Sequence, residues 1–109
     1  MKGLPVIEHF VLFKALAGKQ EAVSAACAEF ERAIAGEPYI EEMTWGPNIN
    51  ARSMALGWTH GMLARITTYE AFQTEYWHHE AHVEFVGQLD SLCEIRFAID
   101  YTTNPREPS

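Results

Sequence analysis

The chain has 109 residues, 48% hydrophobic and 21% charged, a composition that fits one globular domain and excludes a disordered or collagen-like polymer. Its formal charge of −7, with only 8 Lys and Arg, argues against a nucleic-acid or membrane-surface partner, because neutralising phosphates needs clustered cations. The apolar stretch from Val6 to Leu16 is interrupted by Glu8, His9 and Lys14, so neither a signal segment nor a spanning helix is expected there. A cytoplasmic location follows, with Cys27 and Cys93 as free thiols.

Residues 5–14 (PVIEHFVLFK) start at a proline and are rich in β-branched and aromatic types, which predicts a strand. Ile7, His9, Val11 and Phe13 share one face; Val6, Phe10 and Leu12 share the other with Glu8 and Lys14. Both faces are therefore largely apolar. Over residues 19–35, Val23, Cys27, Phe30 and Ile34 recur at the spacing of an amphipathic helix, with Gly36 expected as its cap and Pro38 as its stop. A second strand is expected over Tyr39–Trp45, ending at the turn Gly46-Pro47-Asn48, and a polar connection then runs to about Leu56.

Residues 57–66 alternate, with Trp58, His60, Met62, Ala64 and Ile66 on one face of a third strand. Gly61 marks a bulge or a close approach to its backbone. Thr67 and Glu70 have the spacing of a capping box, so a second helix is expected to begin there, bend or restart near His78, and continue from Glu80 to about Leu92. Its inward stripe is His82, Phe85, Val86, Leu89 and Cys93. The last strand spans Glu94–Thr102, with Ile95, Phe97, Ile99 and Tyr101 on one face, and residues 104–109 are expected as a disordered tail beyond a domain of residues 1–103.

The order β-α-β-β-α-β predicts a ferredoxin-like α+β subunit: four antiparallel strands with both helices on one face. The face left open carries Val6, Phe10 and Leu12, an apolar patch that a second copy would cover. The expected partner is thus the same chain, two sheets stacking into a dimeric α+β barrel.

The chemistry concentrates in residues 76–85, which hold Tyr76 and three of the five histidines. His82 falls on the inward stripe, and a buried imidazole stays neutral and able to accept a proton near pH 7. Tyr76 lies six residues earlier and reaches His82 only if the helix bends; its hydroxyl could orient the imidazole or stabilise an oxyanion. His9 and His60 occupy inward faces of their strands. The competing reading makes each histidine a hydrogen-bonded core residue, and His78 and His79 solvated helix-start residues.

A metal site is not expected. His79-Glu80-Ala81-His82 is one residue short of the zincin spacing, and between His78 and His82 the glutamate stands one place too late. Phosphate-binding glycine loops and the G-x-S-x-G elbow are absent from the sequence, so no cofactor is expected either. Trp45 and Trp58 are expected in the core or a cavity wall, and Trp77 at a rim or dimer edge.

Several segments together resemble the stress-responsive A/B barrel (Dabb) family of dimeric α+β barrels. They are Ile7–Lys14, Trp45-Gly46-Pro47-Asn48, Gly57-Trp58-Thr59-His60, His79–Phe85 and Ala98-Ile99-Asp100-Tyr101. The family includes a cofactor-free polyketide cyclase, olivetolic acid cyclase, and a plant hydroxynitrile lyase. The resemblance implies His82 as catalytic base, Tyr76 as its partner, and His9 and His60 in the same cavity. Phe30, Trp58, Phe85 and Val86 complete the expected substrate wall, and the expected ligand is a small hydrophobic carbonyl or polyketide. Phe30 stands where catalytic relatives tend to place an inward tyrosine, and Glu80 where several have proline.

Overall fold

The computed structural model describes residues 5–104; the tail expected at 104–109 lies outside them except for Asn104. Chain order is β1 (Val6–Ala15), α1 (Gln20–Ile34), β2 (Ile40–Pro47), a 3₁₀ turn (Ser53–Ala55), β3 (His60–Ile66) and α2 (Tyr69–Ala71). A π-helical turn (Phe72–Tyr76), α3 (Glu80–Leu92) and β4 (Cys93–Thr103) complete it. The strands form one antiparallel sheet in the order β2-β3-β1-β4. This is the ferredoxin-like α+β fold that the element order predicts.

Burial follows the pleat. Alternate residues of β3 are buried from His60 to Ile66, and Ile7, His9 and Phe13 of β1 join them beneath the helices. From α1, Val23, Ala26, Cys27, Phe30 and Ile34 pack down on this face. Phe30 stacks on Phe85 of α3 at 4.5 Å between ring centroids, locking the two helices together. Burying one such side chain contributes roughly 1.5–3 kcal/mol. The two cysteines are unpaired, and burial pushes the Cys27 thiol up to about 12.

Local chemistry differs from expectation at four places. Gly36 is not a left-handed cap: α1 ends at Ala35 in right-handed geometry, and successive turns closed by Glu37 N–H to Ile34 O and Ile40 N–H to Glu37 O carry the chain into β2. The cap of α2 is Thr68 and not Thr67: the Thr68 hydroxyl accepts the Ala71 N–H at 3.1 Å, while the Thr67 N–H donates to Tyr39 O. Glu70 therefore falls one position short of the capping-box partner. Trp58 does not share the face of His60: it lies before β3, which begins at His60, and its ring packs beside Phe97 and Lys14. Val6 is buried and does not present its side chain to solvent.

That open face is otherwise as apolar as the alternation requires. Phe10 and Leu12 pair with Ile99 and Phe97 across β1 and β4, and Ile95, Phe97, Ile99 and Tyr101 are each 48–51% exposed. Trp58 lies beside Phe97, with the Lys14 ammonium 5.3 Å from its ring centre. At one end of the face, Glu8 is buried against Arg65 Nε and accepts the Thr103 hydroxyl at 2.7 Å, while Arg65 also reaches Glu42. Among the described residues no helix is long and apolar enough to cross a membrane.

Candidate functional site

The break between the π-helical turn and α3 brings the candidate side chains together. His79 leaves helical geometry at ψ 136° and caps α3 with its own ring, Nδ1 accepting the Ala81 N–H at 3.0 Å. That hydrogen bond puts the proton on Nε2, which donates to Glu37 Oε1 at 3.1 Å. His79 is thus a joint, holding α3 to the connection after α1, and His78 is exposed. The redirected chain sets the rings of Tyr76 and His82 4.8 Å apart.

His82 is buried, and its Nδ1–H donates to Trp77 O at 3.1 Å. A carbonyl can only accept, so the neutral ring carries its lone pair on Nε2. Burial lowers the His82 pKa below the ordinary value, the Trp77 carbonyl opposes the shift, and His9 and His79 add to it. Tyr76 is 1% exposed, and burial, with Asp100 and Tyr39 nearby, raises its phenol above the ordinary value and keeps the hydroxyl protonated. No described residue takes the Tyr76 hydroxyl or the His82 Nε2.

His9 completes the cluster from β1, its ring 5.6 Å from Tyr76 and 5.0 Å from Phe72. Its Nδ1 donates to Asp100 Oδ1 at 2.5 Å. Sequence reasoning gave Asp100 no role; it lies on the strand face opposite Ile99 and Tyr101, and the β1–β4 register pairs it directly with His9. Phe30 lies 5.8 Å from His82 and 6.1 Å from Tyr76, so it packs against both without supplying a hydrogen bond. Phe85 extends the wall behind Phe30, whereas Val86 is half-buried at its margin. Trp77 leans on His82 at 4.9 Å and is half exposed, covering the outer side.

His60 and Trp58 are not brought to this cluster. His60 pairs with Phe13 while His9 pairs with Ala64, four residues apart along β1 or roughly 13 Å at strand rise. Concavities of about 580 and 590 Å³ open near His60 and Trp58, and another of about 410 Å³ lies between α1 and α3; neither Tyr76 nor His82 lines any of them. Among the described residues no three His, Cys, Asp or Glu side chains gather as metal ligands. The arrangement at Tyr76 therefore offers one neutral imidazole acceptor, one phenol donor and one imidazole–carboxylate pair, all in apolar surroundings.

Comparison with solved structures returns the same fold at low sequence identity. A dimeric ferredoxin-like protein of unknown function from Jannaschia sp. CCS1 matches with a TM-score of 0.78 and 21% identity, over 88% of this chain and 97% of that one. A hydroxynitrile lyase from Passiflora edulis matches at 0.71 and 20%, over 94% and 97%. A dabb family protein from Mesorhizobium loti matches at 0.71 and 19%, over 90% and 96%. No curated protein sequence matches significantly. The model of the stress responsive A/B barrel domain matches residues 7–103, nearly the whole length, and the chain belongs to that family.

Proposed function

We propose that the protein is a cofactor-free acid/base catalyst acting on a small hydrophobic carbonyl compound, of the polyketide cyclase or lyase type. The observation that carries this reading is the Tyr76–His82 pair, an acceptor and a donor with rings 4.8 Å apart. In it, His82 Nε2 removes a proton from a carbon flanked by carbonyls. The Tyr76 hydroxyl donates to the carbonyl oxygen as negative charge develops there. His9, held by Asp100, orients the bound carbonyl compound, and Phe30, Phe85 and Val86 exclude water from it. The carbanion then closes on a second carbonyl of the same chain, and the proton returns from His82 to the new alkoxide.

Incubation with a tetraketide thioester tests this. Wild type is expected to give ring-closed product and His82→Ala to give none above background; equal product from both removes His82 from the mechanism. Hydroxynitrile cleavage is a second reading, supported by the fold shared with the Passiflora edulis enzyme. It predicts cyanide release from mandelonitrile, and Phe30, which has no hydroxyl to donate, argues against it. A third reading is a non-catalytic stress-response or ligand-binding protein, favoured by how tightly rings fill the space around Tyr76. It predicts that His82 variants change stability alone.

The same proposal includes a homodimer formed through the open sheet face. Support comes from the apolar row Phe10, Leu12, Ile95, Phe97, Ile99 and Tyr101 and from the dimeric state named for several proteins of this fold. Two stacked sheets then make the barrel, with helices outside. Two unpaired cysteines suit a reducing compartment such as the cytoplasm.

A further inference from the structure

At the far end of β1 from Tyr76, a second chain of hydrogen bonds runs through His60. Thr59 Oγ1 has one proton, which it donates to Phe13 O at 3.1 Å. The same oxygen accepts the Ala15 N–H at 3.0 Å and lies 2.8 Å from His60 Nδ1. With its only proton committed, Thr59 must accept there as well, so His60 carries its hydrogen on Nδ1. Its Nε2 is left with a lone pair, and the Ser24 hydroxyl, 2.8 Å away, donates to it.

Hydroxyl to imidazole, with the other ring nitrogen fixed by a third group, is the order that activates a serine nucleophile. His60 is 2% exposed, and burial lowers its pKa below the ordinary value, opposed by the Gln20 backbone carbonyl, so the ring is neutral and able to take a proton. Ser24 is only half-buried. It lines the concavity of about 590 Å³ between the start of α1 and the connection after β2, with Trp58, Pro47 and Ala51 as its apolar walls.

The same concavity touches the first turn of α1 at Gln20 and Glu21. Lys19 supplies no side-chain cap there, and the first N–H groups of a helix have no partner within it, which suits them to receive a developing oxyanion. Ser24 stands one turn further on, and its side chain leans back toward that end of the helix.

We propose that Ser24 is the nucleophile of a second site, independent of the Tyr76 cluster, that takes an acyl group from a small carboxylic ester or thioester with His60 as its base. The Ser24 oxygen bonds to the acyl carbon as its proton passes to His60 Nε2. The bond to the leaving alcohol or thiol then breaks, and the proton moves from His60 to that group. Water, deprotonated by His60, attacks the acyl-serine and restores the hydroxyl, so the net reaction is hydrolysis. The acyl chain lies against Trp58 and Pro47.

A fluorophosphonate probe and p-nitrophenyl acetate test this on the intact protein. Mass spectrometry of the labelled protein is expected to find one adduct, on Ser24. Ser24→Ala should abolish it and lower ester hydrolysis to background. His60→Gln, checked for folding by circular dichroism, should slow both by on the order of a hundredfold. An unlabelled wild type, or equal ester hydrolysis by wild type and Ser24→Ala, overturns the proposal whatever the His60 variant does. In that case the hydrogen-bond chain serves only to satisfy a buried ring.

Discussion

Asp100 and His9 face each other across the β1–β4 pair, carboxylate oxygen to ring nitrogen at 2.5 Å, with the imidazole buried and the carboxylate side chain 42% exposed. The pair fixes which His9 nitrogen points at the Tyr76 cluster. Asp100→Asn replaces a charged acceptor by a neutral amide of the same shape. Stability is expected to fall by about 1 kcal/mol, at the low end for a hydrogen bond to a charged group because solvent reaches Asp100. Ring-closing activity should fall more steeply, on the order of tenfold or more, since His9 loses its fixed orientation. Urea denaturation and initial rates on the same preparation separate the two effects.

His79 is expected to act on stability and not on chemistry. Its ring takes the place usually held by Ser, Asp or Asn at the start of a helix, accepting the Ala81 N–H, and it also reaches Glu37. His79→Ala removes both contacts and should cost about 1 kcal/mol, with His79→Asn recovering much of the cap alone. Chemical denaturation of the three proteins, with unchanged slope of the transition, checks this.

Acid should destabilise the fold through His82 and His60. Burial lowers both pKa values from the ordinary histidine value, so below about 6.5 the unfolded chain binds protons that the folded chain refuses. Stability from burying these rings neutral is therefore present above that pH and is lost as pH falls toward the lowered folded values. The urea midpoint should drop between pH 7 and pH 5, and His82→Phe should make that drop shallower. An unchanged slope for the variant would mean His82 is not held neutral.

The open sheet face makes a prediction about assembly. Phe97 and Ile99 stand half-exposed on its edge strand, beside Leu12 and Phe10. Light scattering should give twice the 12.3 kDa of one chain, and Phe97→Asp with Ile99→Asp should return a monomer with native circular dichroism. A monomeric wild type would leave this face for some other partner.

Much of this architecture is legible in the residues because burial periodicity is a strong local signal. The stripe through Val23, Cys27, Phe30 and Ile34 gave α1, and alternation from His60 to Ile66 gave the buried face of β3. What sequence did not reveal depends on backbone geometry or register. Trp58 sits one period from His60, but it lies before the strand begins and its ring packs on the open face beside Phe97. Ser24 is a short polar residue without a motif of its own, and Asp100 stands in the segment Ala98-Ile99-Asp100-Tyr101 with nothing there to give it a role. Only strand register places Asp100 on His9, and only the packing of α1 on β3 places Ser24 on His60. The Tyr76–His82 approach was open to sequence reasoning because it required a bend, and His79 provides one.

The most direct measurement of the acid/base role is proton exchange, without ring closure to complicate it. A β-keto thioester too short to cyclise is incubated in D₂O, and NMR follows loss of the proton at the carbon between its carbonyls. Wild type should accelerate exchange above buffer, with His82→Ala reducing that acceleration by on the order of a hundredfold and Tyr76→Phe by about tenfold. Exchange at the same rate in wild type and His82→Ala would contradict the account.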